Sequence, residues 1–385
     1  MHTISSVVCA SILLFLFTSP ANAATKPPES ERIDVSQLEQ HLTTARGMTD
    51  ADAAQQLARF ELTERLSGER LVRLAATMPG EKSHQALLLL ADQSAFLDPP
   101  AAELVADATP GPAATRQMLV QIVNYVNTTI RQLPNLIASR TIIGFEDRPQ
   151  EDALEATGIV SYSFQPLHVV GKSVETITFR DRKELVDEHA GKGQDQGKIG
   201  GMITTGEFGP ILSTVVADAL KGKITWGRWE QRTAVRLAVF NYSVPDEKSN
   251  YRVKYCCVVG GYDSNRQPEL QLFDERAGYH GEIEFDPANG TIYRMTIKAI
   301  LPPHSLVSDA GVVVEYAPIE IGGKSYICPA RSISILEAHT TQQRAMYSKA
   351  NYQGPVKTFL NDAVFGEYRR FGSETRILTG ENQTP

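Results

Sequence analysis

The spacing of apolar residues changes near Asn135, from a helical period to a period of two. Before that point, apolar side chains recur every three or four residues, as on one face of an α-helix. Residues 34–98 contain four such runs with brief connections, which predict an antiparallel array of short helices. The second run places Arg65 on the same side as Leu62 and Leu66.

A Pro/Ala-rich stretch, residues 99–113, follows these helices and predicts a linker between two domains. Residues 114–133 then repeat an apolar stripe at helical spacing and predict one longer helix, which ends at Pro134. The helical module therefore spans residues 24–98. The second domain spans residues 114–372.

Beyond Asn135 the alternation predicts a series of strands joined by local turns. Asp286 to Gly290 and Gly322-Gly323 are typical hairpin turns, and Gly171-Lys172 predicts a third. The predicted strands are 136–146, 158–170, 173–181, 183–188, 224–230, 233–244, 251–260, 280–286, 291–301, 311–321, 324–336 and 356–369.

Two segments indicate how this sheet is covered. Residues 235–244 are apolar on both faces, which is typical of a strand covered on both sides. Residues 207–220 predict a helix with an apolar face. The fold class is therefore α+β: an N-terminal helical array, then a curved antiparallel sheet, a half or open β-barrel that wraps one or two helices.

The first residues predict an export signal. Val7 to Phe17 is an apolar run of eleven residues, followed by Pro20 and an Ala21-Asn22-Ala23 cleavage motif. Eleven residues rise only about 16 Å as a helix, too little for a bilayer core. We expect residues 1–23 to be a cleaved signal peptide, the protein to be periplasmic or extracellular, and residues 373–385 to fray.

The charge pattern bears on partners. The chain has 38 Lys and Arg residues against 45 Asp and Glu residues, a formal net charge of -7. A mildly acidic chain without a concentrated basic surface disfavours nucleic acid as a partner. No later stretch approaches 18 apolar residues, so we expect no transmembrane span in the mature chain.

Three cysteines remain after the predicted signal: Cys256, Cys257 and Cys328. An oxidising compartment allows one disulfide. Neighbours on a strand point to opposite faces, so at most one of the adjacent pair can face Cys328; a Cys257–Cys328 disulfide is one hypothesis. The other hypothesis is that all three cysteines are buried free thiols.

Searches for catalytic motifs find none. Residues 191–198 lack the spacing of a phosphate-binding loop, and no serine nucleophile elbow or zinc-binding helix motif is present. His280, Glu282, Glu284 and Asp286 share one strand face and have the oxygen ligands that a divalent cation prefers. A solvated outer face is the favoured interpretation, so we predict no metal, no cofactor and no catalytic residue.

Two aromatic residues and one carboxylate are further candidates. Trp226 and Trp229 are three apart on a strand, which predicts that they face opposite ways, and core packing is favoured over ligand stacking. Glu207 lies in the segment Thr204 to Gly209, where it favours the entry to a helix. No catalytic partner for Glu207 can be named from the sequence.

Six segments carry a resemblance to a family of uncharacterised secreted bacterial proteins: Leu133 to Thr141, Thr205 to Gly209, Val239 to Tyr242, Gly281 to Asp286, Phe359 to Asp362 and Tyr368 to Gly372. That resemblance brings no activity and no catalytic residue. The order of strands and helix also resembles the periplasmic lipoprotein-carrier and envelope-stress-sensor half barrels. This second resemblance implies an apolar cavity for acyl chains, although those proteins lack the helical extension.

Three functions follow as hypotheses. The first is a non-catalytic envelope protein that binds a lipid or lipoprotein acyl chain in a half-barrel cavity. The second is a scaffold that binds an envelope protein through its N-terminal helices. The third is a hydrolase. The candidate cavity residues are Ile211, Leu212, Val215, Trp226, Phe240 and Tyr242.

Overall fold

A computed structural model describes residues 30–44, 47–152, 161–187, 199–232, 235–262, 268–343 and 351–370. The predicted signal peptide and the predicted frayed tail lie outside these residues. None of the described helices combines the length and hydropathy that a membrane span requires.

The N-terminal module has four helices, as predicted, but the second ends at Leu57, so Leu62, Arg65 and Leu66 lie beyond it. The helices are α1 (Val35–Thr44), α2 (Asp50–Leu57), α3 (Gly68–Ala75) and α4 (Glu81–Gln93). Asp50 at the start of α2 caps α4, because its carboxylate accepts the N–H groups of Lys82 at 3.1 Å and Ser83 at 2.8 Å. Two short strands that the sequence pattern does not predict, β1 (Glu31–Ile33) and β2 (Phe60–Leu62), pair in parallel beside the helices.

The predicted linker lies along the main sheet. Within it, β3 (Leu104–Val105) pairs with the strand that holds Trp229 and Glu230. The indole N–H of Trp229 also donates to the carbonyl of Ala108 at 3.0 Å. The long helix α5 (Pro112–Gln132) follows, with proline in its first turn, where its missing N–H has no intrahelical partner to lose.

The main sheet has eleven antiparallel strands, is curved, and is not closed into a barrel, so the predicted fold class is confirmed. Its order is β3-β8-β9-β12-β13-β14-β15-β16-β4-β5-β6. The strands after β3 are β4 (Leu136–Asp152), β5 (Ser161–Arg180), β6 (Lys183–Asp187), β8 (Lys223–Arg232), β9 (Val235–Val244), β12 (Gly278–Phe285), β13 (Ile292–Ile300), β14 (Val307–Ile321), β15 (Lys324–Gln343) and β16 (Asn351–Arg370).

A smaller sheet has the order β11-β10-β7, from β7 (Gly201–Met202), β10 (Arg252–Tyr262) and β11 (Pro268–Arg276). Helix α6 (Pro210–Lys221) follows β7 and begins three residues later than predicted. Gly206 and Gly209 have φ angles of +92° and +153°, so the chain cannot be helical before Pro210.

Two of the three predicted turns are confirmed. The Asp286 to Gly290 turn joins β12 to β13, and Gly322-Gly323, both with positive φ, joins β14 to β15. The turn predicted at Gly171-Lys172 is wrong. β5 runs through it, paired with β4, and the chain reverses instead at Asp181-Arg182.

Both faces of the main sheet are covered. Helices α5 and α6 pack on the concave face and share the largest apolar cluster with residues of β8, β9, β12, β13 and β14. The N-terminal module packs on the other face, where Ala95 and Phe96 contact Val313 and Ile333. Phe96 lies so close to Gly311 that a Cβ there would approach its ring to 2.6 Å.

Candidate functional site: a charged cleft between the helical module and the sheet

The six candidate cavity residues converge on the concave face, in the cluster under α5 and α6. Leu212, Val215, Phe240 and Tyr242 are buried, whereas Ile211 and Trp226 are partly exposed. Two of the six, Phe240 and Tyr242, line an apolar space of about 10 Å³ beneath α5 and α6. A single water needs roughly 10–15 Å³ on this measure. In this conformation that space cannot hold an acyl chain.

The two tryptophans lie on the same face, so the prediction of opposite faces is wrong. The β8–β9 register shifts between Trp226 and Arg228, which makes Gly227 an extra residue in β8. A β-bulge of this kind reverses the alternation of side chains beyond it. The ring centroids of Trp226 and Trp229 are therefore only 4.6 Å apart, edge to face.

The predicted Cys257–Cys328 disulfide is not formed, because Cys328 is a buried free thiol. Cys328 lies on β15, in an apolar cluster with Leu136 and Phe365, whereas β10 belongs to the smaller sheet. Burial raises the pKa of the Cys328 thiol to about 12, so it stays protonated. Cys256 is disulfide-bonded, and the side chain of Cys257 lies outside the described residues.

The acidic face of β12 is covered by the N-terminal module, which corrects its interpretation as a solvated outer face. Glu284 is only 2% exposed, and Glu282 is partly buried. Arginine side chains pair with these two carboxylates and take the place of the water that would otherwise solvate them. Among the described residues, no group of three or more His, Cys, Asp or Glu side chains is arranged to hold a metal ion.

A cleft of about 210 Å³ opens between α3 and this face of the sheet. We call it the charged cleft. It is lined by Arg65, Ser67, Gly68, Glu69, Arg70, Arg73, Glu103, Glu230, Gln231, Arg232, Glu284, Arg294 and Glu315. Five arginines thus oppose five glutamates.

Arg65 enters the floor of the cleft from the turn before α3. Its Nη2 donates to Glu230 Oε2 at 2.7 Å and lies 3.9 Å from Glu284 Oε2. Arg65, Glu230 and Glu284 are all buried. Since separating buried charges from their partners is costly, this contact ties the helical module to β8 and β12.

A second arginine orders the neighbouring carboxylates. Arg228 donates to both oxygens of Glu282, at 2.6 and 2.9 Å, and its Nε donates to Glu230 at 2.8 Å. A bidentate pair of this kind fixes the planes of both the guanidinium and the carboxylate. Glu230 is therefore held by two arginines, one from each side of the interface.

Two charged atoms at the floor have no hydrogen-bond partner, although both are buried: Nη1 of Arg65 and Oε2 of Glu284. A buried donor or acceptor without a partner costs roughly 1–3 kcal/mol. One is a cationic donor and the other an anionic acceptor. The two atoms are themselves covered, but their residues, Arg65 and Glu284, both line the same cleft.

Arg294 is a buried cation at one side of the floor. Burial lowers its pKa to about 10, and the charge of Arg65 acts in the same direction, while Glu284, Glu315 and Glu282 oppose the shift. The side chain remains charged at neutral pH. Its Nη2 donates to the carbonyl of Ala95 and its Nη1 lies 3.7 Å from Glu282.

The rim is a separate network on the helical module. Arg70 donates to Glu103 at 2.8 Å and to Glu39 at 3.0 Å, and Arg73 reaches the same Glu39 oxygen at 2.8 Å. These side chains are more exposed than the floor. We expect the rim pairs to be weak, since exposed ion pairs contribute about 0–1 kcal/mol.

The sequence pattern did not identify this site. The sequence contains one signal of the site, which is that Arg65 lies on the apolar side of its run. A charged residue that faces a core needs a charged partner. Its partner Glu230 is 165 residues away. No local pattern in the sequence connects Arg65 to Glu230.

Comparison with known proteins gives no relative: no protein-family model, curated protein or solved structure matches the chain. The geometry of the charged cleft is therefore the basis for a proposed function.

Proposed function

We propose that this protein binds a small zwitterionic molecule, carrying an anionic group and a hydrogen-bond-donating cationic group, in the charged cleft. The observation that carries the proposal is the buried pair of unpaired atoms, Arg65 Nη1 and Glu284 Oε2. One requires an acceptor and the other a donor. A ligand with both groups would satisfy them at once.

The charges of the cleft favour a ligand without net charge. Five arginines and five glutamates line it, so a purely anionic or purely cationic ligand would leave an excess charge in a partly desolvated site. The anionic group is expected next to Arg65 and Arg294, the two buried arginines of the cleft. The donor group is expected next to Glu284.

Size limits the ligand further. A volume of about 210 Å³ lies below the usual range of drug-sized pockets, about 300–1,000 Å³. It suits a molecule with the dimensions of a free amino acid. Since the floor comes from the sheet and one wall from α3, such a ligand would bridge the two parts of the chain.

The test is a thermal-unfolding screen of the whole chain with free amino acids. A ligand at about 100 times its Kd stabilises by about 2.7 kcal/mol, and we expect a rise of several degrees in Tm for at least one amino acid. Glycine betaine is the matched control ligand, because it keeps the carboxylate but its quaternary nitrogen has no N–H to donate. We expect betaine to give no shift.

Arg65→Lys is the matched variant. Lysine can keep the ion pair with Glu230 but lacks the second nitrogen that stands unpaired in the cleft. We expect the variant to fold and to lose at least tenfold in affinity, whereas Arg252→Lys, at an exposed pair far from the cleft, binds as the parent does. The proposal fails if no amino acid shifts Tm, or if Arg65→Lys binds with the parent's affinity.

The functions predicted from the sequence remain predictions. Acyl-chain binding on the concave face would require α6 to move away from β9, since the present space is about 10 Å³. Partner binding by the helical module would have to use its outer surface, because Ala95 and Phe96 already pack on the sheet. Export, and the absence of enzymatic activity, likewise stay untested.

A further inference from the structure

A cluster of buried carboxyl groups lies at the entry to α6, on the concave side of the sheet and away from the charged cleft. Glu207 is fully buried, and neither of its carboxylate oxygens has a hydrogen-bond partner. Arg140 Nη1 lies 3.6 Å from Glu207 Oε1, beyond hydrogen-bonding distance. A fully buried carboxylate without hydrogen bonds is among the most costly arrangements in a protein.

Arg140 is held by other partners, which take three of its five N–H donors and none of which is Glu207. Its Nε and Nη2 donate to Glu175 Oε2 at 2.9 and 2.6 Å, and its Nη1 donates to the carbonyl of Thr204 at 3.1 Å. Within the described residues, Arg140 is the one cationic side chain within 4 Å of Glu207.

A third carboxyl group completes the cluster. Glu184 on β6 accepts the N–H of Phe208 at 3.3 Å through Oε2, while its buried Oε1 has no partner. If Glu175, Glu184 and Glu207 were all ionised, three negative charges would face the single positive charge of Arg140. Buried carboxyl groups in such excess bind protons instead.

We propose that Glu184 holds a proton in mild acid and releases it as the pH rises past neutral, and that this proton latches the Glu207 segment and the start of α6 onto the edge strand β6. In the latched state, the Glu184 side chain carries no charge beside Glu207 while still accepting the Phe208 N–H. Loss of the proton places a second negative charge next to a carboxylate that has no hydrogen bonds. Burial and the repulsion from Glu207 outweigh the stronger hydrogen bond that an ionised Glu184 accepts from the Phe208 N–H, so the latch weakens.

The surroundings of Glu184 support this assignment. Burial raises the pKa of Glu184 to about 7, and the negative charge of Glu207 adds to the rise, while the Gly206 and Phe208 N–H groups and Arg140 oppose it. The titratable and charged groups of the surrounding elements are Arg140 on β4, Glu175 on β5, Glu207 before α6, Tyr125 on α5, Tyr251 on β10, Tyr316 on β14, Cys328 on β15 and Tyr368 on β16.

The direction of the pH effect follows from the sign of the shift. The pKa of Glu184 is about 7 in the folded chain against 4.5 for the free side chain. A carboxyl group whose pKa is raised by folding stabilises the folded chain in its protonated form. This contribution is fully present below pH 4.5 and is lost as the pH rises through about 7. The latch is therefore closed in mild acid and weakened in mild base.

Its position gives the latch a consequence. Helix α6 contributes Leu212, Val215 and Val216 to the cover of the concave apolar face. Its first hydrogen bonds, Ile211 N–H to the Gly206 carbonyl and Ser213 N–H to the Gly209 carbonyl, depend on the latched segment. Raising the pH thus loosens the helix whose departure would open that face.

Hydrogen exchange of the Ile211 and Ser213 amides tests the proposal in the full chain. After correction for intrinsic exchange, we expect their protection to fall at least about tenfold between pH 5 and pH 8 in the parent, since one pKa unit corresponds to a tenfold change. In Glu184→Gln, a neutral mimic of the protonated acid, we expect little change. Glu320→Gln, on an exposed glutamate of β14, is the control and should behave as the parent.

Two outcomes would overturn the latch. One is equal pH dependence in the parent and in Glu184→Gln. The other is restoration of protection at pH 8 by millimolar calcium or sodium, which would assign a cation to the cluster instead of a proton. If Glu184→Gln does not fold, a carbon-detected NMR titration of Glu184 in the parent tests the latch instead. A pKa near 7 supports the latch, and an ordinary value near 4.5 refutes it.

Discussion

Arg331→Leu is expected to lower the free energy of unfolding by about 3–5 kcal/mol, as measured by urea denaturation. Arg331 on β15 pairs with Asp362 Oδ1 at 2.6 Å through Nε and with Asp92 of α4 through Nη2. Both aspartates are buried, so removing the guanidinium leaves two uncompensated carboxylates. The same change also separates α4 from the sheet.

The pH dependence of this variant distinguishes lost charge pairing from lost packing. Burial raises the pKa values of Asp92 and Asp362 even with Arg331 in place. Without Arg331 both should rise further, so the loss of stability should shrink as the pH falls and the aspartates bind protons. A loss that is the same at pH 5 and pH 8 would contradict this interpretation.

Two controls accompany the Arg331 variant. Arg252→Leu removes an exposed ion pair with Asp274 and should cost no more than about 1 kcal/mol. The triple variant Asp92→Asn, Arg331→Met, Asp362→Asn removes all three charges and should regain much of the stability, because no unpaired charge stays buried.

Gly281→Ala is expected to cost about 3 kcal/mol or more, because there is no room for a methyl group between β12 and β13. A Cβ at Gly281 would lie 1.9 Å from the backbone carbonyl oxygen of Thr296 and 2.8 Å from the Tyr242 hydroxyl. That hydroxyl donates to the same carbonyl at 2.5 Å. The obstacle is backbone, so it cannot rotate away, and the Tyr242 hydrogen bond should be lost as well.

Gly366→Ala on β16 is the matched control. The nearest atom to its added Cβ would be Ser139 Oγ at 3.7 Å, an ordinary contact. We expect it to be neutral or slightly stabilising, since alanine restricts the unfolded chain. Equal losses for the two glycines would show that the β12–β13 contact is not the cause.

Local chemistry made much of the fold predictable. Helix α5 begins at a proline and repeats an apolar stripe, and the hairpin at Gly322-Gly323 has the glycines that positive φ requires. Strand β11 was not predicted. The Trp226 and Trp229 prediction failed because the bulge at Gly227 depends on pairing with β9, which alternation within β8 cannot reveal.

The candidate site was less predictable, because pairs distant in the chain create it. Glu282 and Glu284 alternate with apolar residues, which is typical of a solvated strand face. What buries them is a helical module whose docking residues, such as Arg65 and Asp92, precede their partners by 165 and 239 residues. A single sequence does not show which distant charges meet.

The position of β16 affects how the main sheet assembles during synthesis. This strand follows β4 and β15 in the chain but inserts between them, so β4 lacks one neighbour until β16 has been made. An unpaired strand edge invites association with other chains. Nascent forms that still lack β16 should therefore be prone to aggregation and rely on chaperones until that strand is in place.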